Sequence, residues 1–182
     1  MKTAKTILAL ILVIGSCVIY SMVRADDPDA KTEKAKLRVG TFDSRAIAIA
    51  YVRTDDFKQA LKKMMEEHKK AKTEGDEKKV KELEAKGQAG QQLLHTQGFS
   101  TASVGEYLEH VKDKIPAVAK EVGVDVIVSK WDMVYQSPDA EFVDVTDQLV
   151  KLFKPDEKTL KIGEDLRKIP PISLEEARNI KD

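Results

Sequence analysis

The feature that most constrains the fold is a long helical pattern over residues 55–122. Apolar side chains recur there at intervals of three and four, which is the seam of a helix that packs along another helix. Charged residues make up 34% of the chain and aromatic residues only 5%, which suits solvated helices better than a thick core. The first seam comprises Phe57, Leu61, Met64, His68 and Ala71.

Glycines and a proline interrupt this helical pattern. The phase of the seam changes at Gly75, so the helix either breaks there or continues through a discontinuity; one long, weakly kinked helix is the favoured interpretation. Residues 95–103 contain Gly98 and predict the turn. A second seam over 104–122 leads back, with Pro116 kinking the helix or starting a new one. Together the seams predict an antiparallel hairpin whose return arm is roughly 30 Å long.

Short β-branched stretches lie on both sides of the helical region. "LRVGTF", residues 37–42, alternates as a strand does, and Asp43 and Ser44 are suitable N-cap residues after it. "VDVIV" and "MVYQS" predict a β-hairpin, "FVDV" a third short strand, and "DQLVKLF" a closing helix. We therefore predict an α+β fold, in which a small antiparallel β-sheet carries a long helical hairpin (coiled-coil tentacle) inserted between the first strand and the C-terminal strands.

The first 25 residues have the composition of an export signal. Lys2 and Lys5 form a positive n-region, "ILALILVIGSCVIYSMV" supplies an apolar stretch, and Ala25 precedes the polar "DDPDA", so we expect cleavage after Ala25. Two alternatives stay open. "VIGSC" resembles a lipoprotein box in which Cys17 is acylated, and residues 7–23 approach the ~20 residues that an uncleaved anchor needs. All three place the rest of the chain outside the cytoplasm, and we expect a periplasmic protein.

The charge balance argues against a nucleic-acid surface. The 182 residues include 31 basic and 31 acidic side chains, whereas nucleic-acid binding requires a basic surface. Removal of residues 1–25 leaves 28 basic and 31 acidic side chains. Cys17 is the single cysteine and lies within that segment, so the exported part has neither a disulfide nor a thiol nucleophile.

Shifts in composition divide the chain into parts. Within the main domain, 37–54 and 123–154 make a β-body and 55–122 make the helical hairpin. The last part has a weak helical pattern and a Pro170-Pro171 break, and it packs on the domain or stays partly loose. The parts are a signal peptide (1–25), a flexible tether (26–36), the main domain (37–154) and a C-terminal extension (155–182).

No motif in the sequence indicates catalysis or a cofactor. A G-x-S-x-G elbow, a P-loop, a Rossmann fingerprint and a zinc-ligand spacing are all absent. The histidines are scattered at His68, His95 and His110, so we expect no metal site. Asp144 and Asp147 fit helix capping better than an acid/base pair. We therefore expect a protein that is not an enzyme.

Two segments resemble the OmpH/Skp family of periplasmic chaperones. "LRVGTFDSRAI" is similar to that family's opening strand and turn. Phe42 and Asp43 stand where the family usually has an apolar residue followed by an aspartate. "VAKEVGVDVIVSKWDMVYQSPDAEFVDVTDQLVKLF" is similar to its C-terminal module, and the similarity covers about 37–56 and 118–153. The matching positions in the module are Val118, Ala119, Lys120, Glu121, Gly123, Asp125, Ile127, Tyr135, Ser137, Asp144, Thr146 and Asp147.

This resemblance implies a homotrimer and an ATP-independent holdase. In that family three small sheets close into a central β-body, and helical hairpins project around a cavity that holds unfolded outer-membrane proteins. A short sheet with unprotected edges is also marginal alone, which favours assembly on physical grounds. We thus expect unfolded envelope or outer-membrane proteins as partners, no nucleic acid, and membrane contact only through the N-terminal segment or a lipid on Cys17.

Two sets of apolar residues are candidates for these contacts. The adaptable methionines and neighbouring apolar residues on the inner faces of the hairpin are candidates for client binding. The second set lies in the predicted β-hairpin and includes aromatic residues. A contact between subunits is the favoured interpretation of this set, and an aromatic binding stripe is the less favoured one. The client set is Met64, Met65, Leu93, Leu94 and Tyr107, and the oligomer-interface set is Val126, Val128, Trp131, Met133 and Tyr135.

A second hypothesis comes from a different class of function. The chain is then a non-catalytic structural or scaffolding protein of the cell envelope that uses the trimeric body as a spacer. Its tether is Cys17 or an uncleaved N-terminus. The mature N-terminus discriminates between the two hypotheses, because a lipid on Cys17 favours the scaffold and a free Asp26 favours the mobile chaperone.

Overall fold

A three-stranded parallel sheet forms where the sequence is richest in β-branched residues. The computed structural model describes residues 36–180. Its strands are β1 (Arg38–Phe42), β2 (Val126–Ser129) and β3 (Glu141–Asp144). β1 is central, and Val39 is in parallel register with Val126 on one side and with Phe142 on the other. The α+β class is therefore confirmed, and the predicted antiparallel sheet is wrong.

The segment "MVYQS", residues 133–137, is not a strand. The backbone N–H of Lys130 still donates to the Phe42 carbonyl at 2.9 Å, which extends the pairing of β2 with β1 by one residue. The chain then leaves the sheet and joins its opposite edge as β3. A parallel strand needs such a crossover, because a tight turn returns the chain only in the antiparallel direction.

Helices account for most of the remaining described residues. The first follows β1 directly, because the carboxylate of Asp43 accepts a hydrogen bond from the N–H of Arg45 and caps its start. The helices are α1 (Ser44–Val52), α2 (Asp55–Glu74), α3 (Glu77–Phe99), α4 (Gly105–Glu109), a 3-10 turn (Lys112–Lys114), α5 (Ile115–Val122), α6 (Thr146–Lys151), α7 (Glu157–Arg167) and α8 (Leu174–Arg178).

The helical pattern breaks at Gly75. This residue ends α2 with φ of 72°, a left-handed conformation that glycine adopts readily, and Asp76 caps α3 by accepting from Lys79 N–H at 2.9 Å. His68 and Glu84 then meet across the two helices at 3.1 Å. The predicted long helix is therefore wrong. The helical pattern is interrupted within residues 95–103 as predicted, but α3 continues through Gly98 and ends at Phe99.

The second seam does not form the predicted return arm. Residues 104–122 instead fold into short helical pieces, and Pro116 stands in the first turn of α5, where its missing N–H leaves no helical hydrogen bond unmade. The apolar positions of the seam pack into the core beside α1. The buried members are Val104, Tyr107, Val111 and Val118.

The core lies between the sheet and helices α1 and α6. Phe42 from β1, Ile47 from α1 and Leu149 from α6 are buried in one apolar cluster. Gly40 allows the neighbouring strands to approach, because a Cβ atom there would lie 3.1 Å from the Ile127 side chain and 3.2 Å from that of Val145. The sheet and its covering helices therefore pack as one unit.

The C-terminal extension packs on the domain. Helix α7 contacts α1, and α8 contacts α3. Between them the N–H of Ile172 donates to the Phe99 carbonyl at 3.1 Å, and the Ser100 hydroxyl donates to the Ile172 carbonyl at 2.6 Å. Ala177 of α8 is fully buried.

Several of the expectations fall on the N-terminal segment. The signal peptide, the acylation of Cys17 and nearly all of the tether lie outside the described residues. Among residues 36–180, no helix is both long enough and apolar enough to cross a membrane.

Candidate functional site

An apolar groove of about 890 Å³ lies between α2 and α3. Leu61 of α2 and Leu93 of α3 both line it, and each is 43% exposed. The charged and amide side chains of its lining are Lys86, Gln91 and Glu106. The remaining lining residues are Tyr51, Phe57, Ala60, Met64, Gly87, Ala89, Gly90, Leu94 and Tyr107.

Small residues on α3 leave the groove open. Gly87 and Gly90 contribute no side chain, and a Cβ atom built on either one meets nothing within 4 Å. A regular helix gains roughly 1 kcal/mol when such a glycine becomes alanine, so glycine here is unfavourable for the helix alone. Unfilled space beside two helical glycines therefore defines this side of the groove.

Aromatic rings close the groove near the core. The rings of Tyr51 and Tyr107 stack with centroids 4.1 Å apart, and Phe57 meets Tyr51 edge to face at 5.6 Å. Offset and edge-to-face contacts of this kind hold aromatic rings in fixed orientations. The end of the groove is therefore a rigid apolar wall.

Tyr107 is held by a buried polar network. Its hydroxyl donates to the side-chain oxygen of Gln97, and the amide nitrogen of Gln97 donates to Ser103 O at 2.8 Å and to Glu106 Oε1 at 3.0 Å. Burial, reinforced by the negative charge of Glu106, raises the pKa of Tyr107 to about 12. The phenol is therefore neutral over the physiological range.

Four of the five predicted client residues line this groove: Met64, Leu93, Leu94 and Tyr107. Met65 does not, and it is 64% exposed elsewhere on α2. The residues that sequence reasoning missed as part of a site are Gly87 and Gly90. The available signal was their spacing, because they lie between Leu83 and Leu94 at intervals of four, three and four, and a glycine on the apolar face of a helix leaves space for another chain.

The predicted interface residues fall at two places. In-register residues of a parallel sheet share a face, so Val126 and Val128 lie with Val39 and Phe142 on the side away from the core cluster. Val126 is 44% exposed. We call this surface the outer sheet face.

The other predicted interface residues lie in the crossover after β2. Trp131 is packed beside Lys130, whose ammonium nitrogen lies 4.4 Å from the indole centroid, while Met133 is half-buried. Tyr135 is 77% exposed and the neighbouring Val134 is fully exposed. This segment therefore presents apolar side chains to solvent at the edge of the molecule.

A buried ion pair anchors the start of α1. Asp43 and Arg45 are both buried and lie 2.9 Å apart, and Lys130 approaches the same carboxylate at 2.8 Å. Arg45 also donates to Ile169 O at 3.0 Å. Burial acts to raise the pKa of Asp43, but hydrogen bonds and positive charge from Arg45 and Lys130 outweigh it and lower that pKa.

The remaining titratable candidates are engaged in structural contacts. Asp144 accepts from the N–H of Thr146 at 2.8 Å, and Asp147 pairs with Arg167 at 2.7 Å, so both lie at the start of α6 as predicted. His110 Nε2 lies 3.1 Å from the Tyr51 hydroxyl. Within residues 36–180, no group of three or more His, Cys, Asp or Glu side chains is arranged to hold a metal ion.

Comparison with known proteins returned no match. No family model fits the chain, and neither a curated protein nor a solved structure is detectably similar to it.

Proposed function

We propose that the groove between α2 and α3 binds apolar segments of unfolded polypeptides, and that the protein is an exported, ATP-independent holdase of the OmpH/Skp type. The observation that carries this proposal is the groove itself, in which leucine, methionine and aromatic side chains remain accessible beside two glycines. Covering each ~100 Å² of apolar surface contributes about 2.5 kcal/mol. Binding by this means needs no nucleotide.

The polar surroundings of the groove favour weak, sequence-tolerant binding. Charged side chains cover the outer faces of α2 and α3, and pairs such as His68–Glu84 and Lys72–Glu84 span them. An apolar segment therefore has one favourable place to lie on this helix pair. Methionine adapts its shape to different partners, so Met64 suits a site that accepts many sequences. Unfolded envelope and outer-membrane proteins supply such segments before they insert.

Assembly is the second part of the proposal. Val126 on the outer sheet face and Val134 and Tyr135 in the crossover segment are exposed apolar side chains that a further copy can cover. β2 and β3 are also edge strands of the sheet among the described residues, and unpaired edges favour pairing with another chain. We propose a homotrimer in which these surfaces meet and the grooves surround a shared space.

Filling the groove should weaken the holding of a client without unfolding the protein. We expect the double variant Gly87→Leu/Gly90→Leu to need about tenfold more protein to suppress aggregation of an unfolded β-barrel protein, equivalent to ~1.4 kcal/mol of lost binding. Leucine favours the helix over glycine, so thermal stability should not fall. Light scattering of the diluted client measures the effect.

The matched control is Gln88→Leu, which adds the same side chain to α3 outside the groove lining. We expect this variant to act as the wild type does. Equal suppression by all three proteins, or no suppression by the wild type at any salt concentration, would refute the proposed function.

Assembly should depend on the outer sheet face. We expect the mature chain to have the molar mass of a trimer in multi-angle light scattering, and Val126→Lys to reduce that mass to one chain, because a lysine ammonium is costly to bury without a partner. Leu160→Lys, at a leucine 37% exposed on α7, is the control and should stay trimeric. A monomeric wild type would contradict the trimer.

A further inference from the structure

A second, polar cavity of about 530 Å³ adjoins the groove at Tyr51. Tyr51 lines both spaces: its ring stacks on Tyr107 in the groove, and its hydroxyl reaches His110 in the polar cavity. The start of α2 is shared in the same way, since Lys58 lines the cavity and Phe57 lines the groove. The two spaces are therefore neighbours that share Tyr51 as a boundary, and both are open to solvent along their length.

The polar cavity has positive charge without a partner. Among the described residues that line it, four are Lys or Arg and three are Asp. Lys58 pairs with Asp55 at 3.5 Å, and Asp156 is engaged at the start of α7, where it accepts from Thr159 N–H at 2.7 Å. Lys114 and Lys154 form no ion pair with another described residue, whereas the positive charge of Arg53 acts on Asp156. Asp56 is the third carboxylate of the lining.

We propose that the polar cavity binds a carboxylate that follows the apolar segment of a client, and that the pair of cavities therefore selects segments with an apolar stretch ending in a negative charge. This proposal rests on the proposed function of the groove. Arg53, Lys114 and Lys154 supply the N–H donors, and hydrogen bonds from charged donors to a carboxylate are the stronger class. Apolar contacts hold the client in the groove, and the carboxylate fixes its direction.

The carboxylate has two chemical sources: the C-terminus of a chain, or an Asp or Glu side chain. Both present the same group, and they differ in whether the chain continues beyond it. The cavity is bordered by the 3-10 turn through Lys114 and by the loop before α7, including Lys154 and Pro155. Peptides that differ only in this respect distinguish the two sources.

The test uses fluorescein-labelled peptides with one alternating leucine and valine sequence and the full mature chain. One peptide ends in a free carboxylate, one in an amide, and one carries an aspartate followed by glycine and serine. We expect anisotropy titrations to show about fivefold tighter binding of the free carboxylate than of the amide, with a difference that shrinks as salt is added. If an Asp or Glu side chain also occupies the polar cavity, the aspartate peptide should bind as tightly as the peptide with the free carboxylate.

Two double variants test which lysines produce the preference for the carboxylate peptide. We expect Lys114→Gln/Lys154→Gln to bind the carboxylate and amide peptides equally, because the charge of the cavity is then reduced. The control Lys120→Gln/Lys151→Gln removes two exposed lysines that do not line it and should keep the fivefold preference. A preference that survives in the first variant would place the carboxylate elsewhere and overturn this proposal.

The failure of this inference differs from the failure of the proposed function. Equal binding of the carboxylate and amide peptides to the wild type, with both weakened by Gly87→Leu/Gly90→Leu, overturns the carboxylate site and leaves the groove function intact. No binding of any peptide overturns both.

Discussion

We expect Arg45→Met to lower the free energy of unfolding by about 3–5 kcal/mol, the usual cost of removing one partner of a buried ion pair. The substitution leaves the buried carboxylate of Asp43 with Lys130 as its remaining cation and removes the hydrogen bond to Ile169 O. It also removes the guanidinium that lies 5.2 Å from the Trp131 ring centroid. Urea unfolding followed by circular dichroism measures the loss.

The matched control is Arg167→Met. Arg167 also pairs with carboxylates, but those of Asp144 and Asp147 are about 60% exposed. Exposed pairs contribute about 0–1 kcal/mol, so this variant should be close to the wild type. A similar small loss in both variants would show that the Asp43–Arg45 pair does not anchor α1.

The same pair gives a pH dependence of defined sign. The pKa of Asp43 is lower in the folded protein than its ordinary value of 3.8, so its ionised form stabilises the fold. This contribution is fully present above 3.8 and is lost as the pH falls through the folded pKa below that value. We expect the wild type to lose more stability than Arg45→Met over that acid range.

We expect Tyr107→Ala to cost about 3–5 kcal/mol and to open the end of the groove, because a buried aromatic ring is removed. The ring stacks on Tyr51, and its hydroxyl is the partner of Gln97, so both the wall and the polar network lose a member. Chemical unfolding gives the stability, and peptide titration gives the effect on the groove.

Tyr107→Phe separates these two contributions. It keeps the ring and leaves the Gln97 oxygen without its donor, which costs about 1–3 kcal/mol for a buried group. We expect peptide binding to stay near the wild-type value in this variant. Weak binding in Tyr107→Phe at full stability would mean that the hydroxyl, and not the wall, supports the groove.

The strands could be located from the sequence, but their partners could not. "VDVIV" and "FVDV" overlap β2 and β3 by three residues each, whereas "MVYQS", which was also predicted as a strand, lies outside the sheet. Composition reports that a segment suits a pleated surface and does not report which neighbour it pairs with. The pairing depends on Gly40, whose lack of a side chain admits Ile127 and Val145 from both sides.

The apolar seams of the helices likewise did not show which partner they pack against. A spacing of three and four places Val104, Tyr107 and Val111 on one face, and that face packs equally well on a second long helix or on the core. The structure places them on the core, and Gly75 with Asp76 turns the chain one helix earlier than predicted. Four of the five client candidates still meet in one groove, because Met64, Leu93 and Leu94 lie on the faces where α2 and α3 pack together.

Site-specific photo-crosslinking tests the groove most directly. A photoreactive phenylalanine analogue at Leu93 stands in the groove, and the same analogue at Gln92 stands one residue away, outside the groove lining. We expect irradiation with an unfolded β-barrel protein to give a strong adduct from position 93 and little from position 92. Equal adducts from both positions, or none from position 93, would contradict a client-binding groove between α2 and α3.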